Sequence, residues 1–404
     1  MAWEVRPTSD LEQFVDAVGA ISHYFGAARD VERAERFTHV LPLERMHAAF
    51  DGDRIVGGAG AFPFRFSVPG AVVPCGGVTV VGVLPTHRRR GILTAMMRTQ
   101  LEDIRARGEA IAALWASEEV IYRRFGYGFA SFTGEIALDR GYATLREPPD
   151  PSARARLVTL EEARQLVPPV YDRVRVRTPG MFERTSAWWE RRNLDDPPER
   201  RNGGGVKNAV LVELDGEPAA YALYRVNPKW ESGSSVGQVD ILEAVGDGPV
   251  ATQELWRLLL EMDWMATIRA SLLPVDHPLF HMLRYPRRMK MRLSDGLWVR
   301  LVDVGAALSA RSYASGDPLV FDVSDPFIPV NSGRWRLADG KAARTDEPAD
   351  LALDVGELAA TYLGGFTFGE LVRARRVVEL TDGAASRADA VFRSEPKPWC
   401  PEIF

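Results

Sequence analysis

The sequence predicts an α/β fold, α+β in its last part, in which two similar domains are followed by a third of a different kind. Three observations support this prediction: a strand–turn–strand pattern occurs twice, an apolar strand and a helix follow each copy, and the pattern changes after about residue 291. A chain of 404 residues also exceeds the size of one hydrophobic core. We place the domains at residues 1–148, 149–291 and 292–404, with the proline-rich stretch 147–151 at the first joint.

The first two segments share one order of elements. Each contains a strand, an Asp-Gly turn and a second strand, with the turns at Asp51-Gly52 and Asp215-Gly216. Apolar strands follow at 78–83 and 239–244, and helices follow these at 92–107 and 250–265. Asp-Gly hairpins are common, so either copy alone would mean little. The matching order and spacing favour a duplicated domain.

The third segment has a different pattern. Short strands are predicted at 297–302 and 319–323, and a helix at 355–363 that ends at Gly364-Gly365. This mixture indicates a separate α+β domain.

Composition and charge exclude several classes of protein. A net charge of −5 gives no electrostatic reason to expect nucleic acid or an anionic membrane as the partner. Cys75 and Cys400 are far apart and the histidines form no ligand cluster, so we expect neither a disulfide framework nor a metal site. The N-terminus lacks a signal pattern, and no stretch reaches the ~18 apolar residues of a membrane span. We therefore expect a cytoplasmic protein.

The stretch 78–97 is the most informative part of the sequence. An apolar strand ends at Val83, and an amphipathic helix begins around Gly91. The first N–H groups of a helix lack intrahelical partners and lie at the positive end of its dipole, so a diphosphate fits there. Gly91 permits close approach, three arginines at 88–90 add charge, and Thr94 offers a hydroxyl. The alternative is a solvated basic turn before an ordinary surface helix.

A second motif follows at 113–128. A strand ends near Ala116, a short helix contains Tyr122, and the chain returns to a strand at Gly126. Together the two motifs resemble the GNAT superfamily of acyl-CoA N-acyltransferases. Residues 88–93 (RRRGIL) look like its (Gln/Arg)-x-x-Gly-x-(Gly/Ala) signature, and residues 122–127 (YRRFGY) are similar to its Tyr-x-x-x-Gly-(Phe/Tyr) signature. Leu93 departs from the pattern, because the superfamily usually has a small residue there.

The layout of the whole chain resembles the Eis (enhanced intracellular survival) type of N-acetyltransferase, and residues 295–304 (DGLWVRLVDV) are a further specific part of the match. The resemblance implies tandem GNAT domains, the first catalytic and the second degenerate, followed by a sterol-carrier-protein-like α+β domain. In the second domain Asp247, within 245–250 (VGDGPV), would repel a pyrophosphate. The resemblance also implies acetyl-CoA as co-substrate, no metal, and a homo-oligomer, expected to be a hexamer.

The resemblance further implies roles for single residues. Tyr122 would be the general acid for the departing thiolate, with Tyr127 as a rival. The general base would be the terminal carboxylate of Phe404, whose low ordinary pKa requires burial or a water relay; the alternative is an ordinary free tail. The residues expected to contact acetyl-CoA are Val81, Gly82, Val83, Arg89, Arg90, Gly91, Ile92, Leu93, Thr94, Ser117 and Glu118.

The acceptor implied by the resemblance is a cationic amine: an aminoglycoside, a small polyamine or a lysine side chain. Tyr24, Phe37 and Glu402 are the candidate acceptor-binding residues. Trp188 and Trp189 could line the same pocket or belong to the core of a helix. A different class of function stays open, a non-catalytic lipid- or acyl-CoA-binding protein that uses a pocket in the C-terminal domain; the intact Gly91 and Tyr122 favour the enzyme.

Overall fold

The computed structural model describes residues 3–404, which divide into two compact units. The first unit contains the chain up to Ser131, Gly296–Pro398 and Ile403–Phe404. The second contains Phe132–Asp295 and Trp399–Glu402. Within the described residues, no helix is both long enough and apolar enough to cross a membrane.

The described residues form strands and helices that we number in chain order. The strands are β1 Glu4–Pro7, β2 Met46–Asp51, β3 Arg54–Val68, β4 Ala71–Val83, β5 Ile111–Trp115, β6 Gly128–Phe129, β7 Phe132–Asp139, β8 Ala153–Val158, β9 Lys207–Leu214, β10 Glu217–Asn227, β11 Trp230–Glu231, β12 Ser234–Ser235, β13 Gly237–Gly246, β14 Met265–Leu273, β15 Arg292–Asp295, β16 Leu297–Leu301, β17 Leu319–Ser324, β18 Gly333–Ala338, β19 Lys341–Arg344, β20 Leu351–Asp354 and β21 Val377–Glu379. The helices are α1 Leu11–Ser22, α2 Val31–Thr38, α3 Ile92–Ala106, α4 Glu119–Tyr122, α5 Leu160–Arg175, α6 Ser186–Trp188, α7 Pro249–Leu260, α8 Leu279–Met282, α9 Val304–Ala310, α10 Val355–Tyr362, α11 Phe368–Arg373 and α12 Ala384–Phe392.

The first unit contains a seven-stranded sheet in the order β1-β2-β3-β4-β5-β16-β6. Neighbouring strands are antiparallel except β4 and β5, which are parallel and are connected through α3. The predicted Asp-Gly turn connects β2 to β3, and Gly52 has the positive φ of 61° that such a two-residue hairpin requires. The same unit contains a five-stranded sheet, β19-β18-β17-β20-β21, together with α9 to α12.

The second unit contains a sheet in the order β15-β7-β14-β13-β10-β9-β8. Its single parallel pair is β13 and β14, connected through α7, and a turn at Asp215-Gly216 connects β9 to β10. The order hairpin, strand, helix, parallel strand therefore occurs in both units, which confirms the predicted duplication. Helix α7 ends at Leu260 rather than at Met265, because β14 begins there.

Three strands from the expected segments 1–148 and 292–404 do not join the sheet of their own segment. β7 is expected in the first segment but pairs with β14 and β15 in the second sheet, and β15 lies there too. β16 is expected in the third segment but lies between β5 and β6 in the first sheet. Strand periodicity shows that a segment is extended and half-buried, but not which sheet it joins. β16 pairs with every residue of β5 on one side and with the two-residue β6 on the other.

Candidate active site

The first sheet opens beside β4. Strands β4 and β5 pair only from Cys75 to Gly77, and beyond Gly77 strand β4 continues to Val83 paired with β3. The register between β3 and β4 shifts by one residue, and Val80 has a φ of 46°, which marks a β-bulge. The two parallel strands therefore diverge, and among the described residues no strand pairs with residues 81–83 on the side of β5. An extended ligand can hydrogen-bond to such a free strand edge.

Helices cover both faces of this sheet. A Cβ placed on Gly57 would lie 3.1 Å from the sulfur of Met96 in α3. A Cβ placed on Gly82 would instead lie 2.7 Å from Cα of Ile21 in α1. Helix α3 is therefore on one face and α1 on the other. Gly82 is required for the packing of α1, whatever its backbone also binds.

Helix α3 begins at a glycine with open space beside it. Gly91 is the N-cap residue, with a φ of 84°, and no side chain caps the helix. The first intrahelical hydrogen bond runs from Ala95 N–H to the Gly91 carbonyl, at 3.0 Å. The N–H groups of Ile92, Leu93 and Thr94 thus have no intrahelical acceptor. A Cβ on Gly91 would meet no atom within 4 Å, so the glycine leaves room for a ligand rather than for a neighbouring element.

The three arginines before α3 are all exposed but differ in their contacts. Arg90 stacks 4.8 Å above the ring of Trp3, and its carbonyl accepts a 2.8 Å hydrogen bond from the Trp3 indole. Arg88 lies 6.0 Å from the ring of Tyr24. Arg89 has a left-handed backbone, with φ of 61°. The contact between Trp3 and Arg90 could not be predicted from the sequence, because 87 residues separate them.

Tyr122 is the last residue of α4 and is 6 % exposed. Burial raises the pKa of its phenol to about 12, so the group remains protonated at physiological pH. It packs in a cluster on the α3 face of the sheet with, among others, Ala61, Val78, Met97, Leu101 and Leu114.

Tyr127 lies deeper than Tyr122. It is fully buried, and its hydroxyl has no hydrogen-bond partner among residues 3–404. Its ring is 5.8 Å from that of Tyr122 in an edge-on contact, and burial raises its pKa further. Tyr122 and Tyr127 thus belong to the same core cluster, and Tyr127 is the more deeply buried of the two.

The segment after Tyr122 is fixed by elements distant in sequence. A Cβ on Gly128 would lie 1.8 Å from the carbonyl oxygen of Gly356 in α10, so only glycine permits this approach. Arg123 forms a 2.5 Å ion pair with Glu357, also in α10. We did not predict these contacts, since no local pattern pairs residues so far apart in the chain.

Phe404 belongs to the first unit and is 8 % exposed. Its ring contacts two aromatic residues of β3, with centroids 4.9 Å from Phe64 and 6.5 Å from Phe62. Phe62 also contacts Phe37 of α2, at 5.8 Å. Side chains alternate along a strand, so Phe62 and Phe64 lie on the face opposite Ala61. Phe404 and Phe37 are thus together on the α1–α2 face, whereas Tyr122 is on the α3 face.

The remaining candidates are more dispersed. Tyr24 is 44 % exposed, and its hydroxyl donates a 2.7 Å hydrogen bond to the carbonyl of Val83, which occupies one of the expected acetyl-CoA contacts. Ser117 and Glu118 are exposed in the loop between β5 and α4.

Glu402 belongs to the second unit, and its carboxylate is already in ion pairs there. Its oxygens lie 3.0 Å from Arg184 and 3.1 Å from Arg192. Burial alone would raise the pKa of Glu402, but the charges of these two arginines outweigh it and hold the pKa below its ordinary value. Trp188 donates to the same carboxylate at 2.9 Å. A carboxylate so engaged is poorly suited to bind a cationic acceptor.

Comparison with protein families defines the class of this molecule. Two models of an acetyltransferase (GNAT) domain match residues 4–130 and 180–301, and a model of a sterol carrier protein domain matches residues 304–401. The chain thus has two GNAT domains followed by a sterol-carrier-protein-like domain, as predicted. It is an acyltransferase of the GNAT class, whose acetyltransferases use acetyl-CoA as co-substrate.

Individual relatives narrow the class. The chain is 42% identical over 390 residues to an uncharacterized N-acetyltransferase of Streptomyces avermitilis, covering 95% of each. It is 36% identical over 358 residues to N-acetyltransferase Eis of Mycobacterium tuberculosis, covering 85% of this chain and 84% of the relative. The crystal structure of Eis1 from Mycobacterium abscessus matches with a TM-score of 0.86 and 33% identity, covering 99% of this chain and 100% of that one. The chain belongs to the Eis-type N-acetyltransferases, which confirms the family predicted from the sequence.

Proposed function

We propose that this N-acetyltransferase transfers the acetyl group of acetyl-CoA to a primary amine of a cationic acceptor, with Tyr122 as general acid and the terminal carboxylate of Phe404 as general base. One observation supports this most directly. Strands β4 and β5 diverge after Gly77, and Phe62, which pairs with Gly77, contacts Phe404. Ala61 and Val78, one register position further, pack with Tyr122 on the opposite face. The opening between the strands thus lies between the two proposed groups.

The diphosphate of acetyl-CoA would bind at the start of α3. Three N–H groups without intrahelical acceptors, the space beside Gly91 and exposed arginines together suit a dianionic group. The pantetheine amides would pair with the free edge of β4, as a strand would. The proposed contact residues are Val81, Gly82, Val83, Arg89, Arg90, Gly91, Ile92, Leu93, Thr94, Ser117 and Glu118.

Tyr122 is suited to give a proton and unsuited to take one. With a pKa of about 12 it holds its proton at working pH. A thiol has a reference pKa near ~8.5, so a thiolate in water would not take this proton. A thiolate formed in the same apolar surroundings is less stable, and burial raises thiol pKa values, as it does for the buried thiol of Cys75. The phenol can therefore protonate the sulfur as its bond to the acetyl carbon breaks.

The carboxylate of Phe404 would accept a proton from the acceptor's ammonium group, directly or through a water, and the neutral amine so formed would attack the acetyl carbon. Its ordinary pKa is near ~3.5, which is low for a base acting on an amine. Packing of the buried Phe404 ring against Phe62 and Phe64 holds the end of the chain in place beside the strand opening. The acceptor would lie on this face, where Phe37 and Tyr24 offer aromatic rings to a cation. Aminoglycosides, polyamines and lysine side chains all fit this description.

Extending the chain beyond Phe404 tests the base. Two glycines added after Phe404 move the carboxylate away from Phe62 and Phe64, and we expect loss of acetyl transfer with unchanged acetyl-CoA affinity. Turnover is measured as thiol release from acetyl-CoA with a panel of polyamines and aminoglycosides, and affinity by calorimetry. Two glycines added at the N-terminus are the matched control. Full turnover of the extended chain would rule out this base.

The same measurements separate the alternative function. A non-catalytic lipid- or acyl-CoA-binding protein would bind acetyl-CoA tightly and release no thiol with any amine of the panel. The expected hexamer is checked by the molar mass in solution, and a monomeric mass would contradict it.

A further inference from the structure

The second unit has a strand opening of its own. Strands β13 and β14 pair from Gly237 to Ile241, and β13 then continues to Gly246 paired with β10 alone. This is the same divergence of the single parallel pair that opens the first sheet beside β4. The two openings differ in their contents, because the second one holds a segment of this chain, Trp399–Glu402, which we name the tail segment.

Trp399 occupies the opening between the diverging strands. Its indole N–H donates a 2.5 Å hydrogen bond to the carbonyl of Leu272, in the part of β14 that β13 has left. Its backbone N–H donates to the carbonyl of Pro179 at 2.8 Å. Its ring packs in a core cluster that includes Val245 of β13 and Trp189. Trp399 therefore bonds to β14 on one side of the opening, belongs to the same core cluster as Val245 of β13, and is 9 % exposed.

Glu402 fixes the other end of the tail segment. Its carboxylate accepts from the Trp188 indole at 2.9 Å and from the Asn193 amide at 3.2 Å, in addition to the ion pairs with Arg184 and Arg192. Four donors on one carboxylate make a specific site rather than an incidental contact.

Arg184 is held in position by groups outside the tail segment. Its side chain is fully buried, and it forms a two-point ion pair with Glu243, at 2.9 and 2.5 Å. Tyr221 donates to the same Glu243, and the guanidinium lies 4.1 Å above the ring of Tyr171. Arg184 and Arg192 lie against different oxygens of the Glu402 carboxylate, so each oxygen faces a guanidinium. Because Arg184 is fixed by Glu243 and Tyr171, the site is preformed for a carboxylate.

We infer that the opening of the second GNAT domain serves as a binding site for the chain's own tail segment, with Arg184 and Glu402 as the pair that positions it. The functional consequence rests on the proposed function, in which Phe404, two residues after Glu402, supplies the base. On this view the second domain lost acetyl-CoA chemistry and acquired a positioning role. Glu402 acts through the chain and does not touch the substrate.

Cys400 provides a measurement that is independent of catalysis. Its thiol is 3 % exposed and donates to the carbonyl of Glu402 at 3.2 Å, so it is protected while the tail segment is bound. Glu402→Gln in the full chain removes the charge but leaves Arg184 with Glu243. We expect modification of Cys400 by a maleimide to become about ten-fold faster or more, from the loss of charged hydrogen bonds. Peptide mapping distinguishes it from Cys75, which is fully buried in β4.

Matched variants complete the experiment. Glu395→Gln removes a carboxylate from an exposed ion pair with Arg393 in the same part of the chain and should leave Cys400 protected. Glu402→Asp retains the charge and should restore part of the protection. In Glu402→Gln, kcat should fall while the KM for acetyl-CoA is unchanged.

The outcomes separate this inference from the proposed base. A Cys400 that stays protected in Glu402→Gln would overturn the binding site for the tail segment. A reactive Cys400 with wild-type turnover would support the binding site and reject Phe404 as the base. The chain extended by two glycines should lose turnover while Cys400 stays protected.

Discussion

The two GNAT domains use the same elements at the start of their crossover helices, yet only the first has the positive charge and the free N–H groups that suit a diphosphate. Both helices begin after a glycine with positive φ, 84° at Gly91 and 107° at Gly248, and a Cβ on either would meet open space. At the first helix three arginines precede the glycine. At the second, Asp247 precedes it and Pro249 follows it, so one N–H is missing and a carboxylate takes the place of the positive charge.

The carboxylate of Asp247 in the second domain is paired with two arginines. Asp247 forms 2.5 Å ion pairs with Arg173 and Arg177. Burial alone would raise its pKa, but the hydrogen bonds from these arginines outweigh burial and lower it. Under the proposed function, a change of a few residues at this turn is enough to remove a phosphate site, while the order hairpin, strand, helix, parallel strand is the same in both units. This difference also suggests why the second opening is available to another ligand, which we propose to be the tail segment.

The largest effect should come from removing the phenol oxygen of the first domain. In Tyr122→Phe we expect turnover to fall by about 10²-fold or more, because the leaving sulfur loses its proton donor, while acetyl-CoA affinity stays within about two-fold. Steady-state rates and calorimetry measure the two quantities. Tyr127→Phe is the matched control: its hydroxyl has no partner among the described residues, so turnover should be retained. If the loss occurs in Tyr127→Phe instead, the two tyrosines have been assigned the wrong way round.

Because of the same phenol, the free energy of unfolding should depend on pH in the alkaline range. The folded-state pKa of Tyr122, about 12, lies above the unfolded value of about 10, so its contribution is complete below pH 10 and is lost as the pH rises towards 12. The loss is at most about 3 kcal/mol. Urea unfolding at pH 8 and at pH 11 measures it as the difference between the wild type and Tyr122→Phe, which cancels the other buried tyrosines. A difference that does not change with pH would show that this phenol is not shielded from water.

Gly91 and Gly248, the N-cap residues of α3 and α7, allow a direct test of the comparison. Gly91→Ala and Gly248→Ala both place a Cβ at positive φ, which costs about 1–3 kcal/mol of backbone strain. Only the first Cβ enters the proposed diphosphate space, so we expect acetyl-CoA affinity to fall about ten-fold in Gly91→Ala and to be unchanged in Gly248→Ala. Calorimetry gives the affinities and thermal unfolding the stabilities. Equal affinities in the two variants would remove the phosphate site from the start of α3.

The duplication and the strand–loop–helix junction at the start of α3 could be predicted from the sequence because both are local. A hairpin, a strand and an amphipathic helix each fit within about fifteen residues, and so does the start of α3. The sheets that β7, β15 and β16 join could not be predicted, since the periodicity of a strand does not specify its neighbours. For the same reason the segments 1–148, 149–291 and 292–404 do not follow the sheets.

Whether the role of a side chain could be predicted also depended on whether its partners are close to it in the sequence. Tyr122 was predicted as the general acid from its motif, which stays a prediction, and the structure adds the burial that raises its pKa. Glu402 was predicted to bind the acceptor from its place beside Phe404. Its partners Arg184 and Arg192 are some two hundred residues away in the chain, and no spacing rule indicates such a pair.

The smallest effect should come from a single exposed arginine. Arg89 has no ion-pair partner in the part of the chain that the structure describes, so Arg89→Gln should leave stability unchanged and weaken acetyl-CoA binding about two- to five-fold, as expected for one solvent-exposed charge near a helix N-terminus. The weakening should disappear at high salt, since the Debye length falls to about 3 Å at 1 M. Arg173→Gln is the counterpart in the second domain: it breaks the pair with Asp247 and should lower the unfolding temperature without changing acetyl-CoA affinity. If both variants weakened binding equally, the second domain would contribute to the coenzyme site, and the assignment of all acetyl-CoA binding to the first domain would fail.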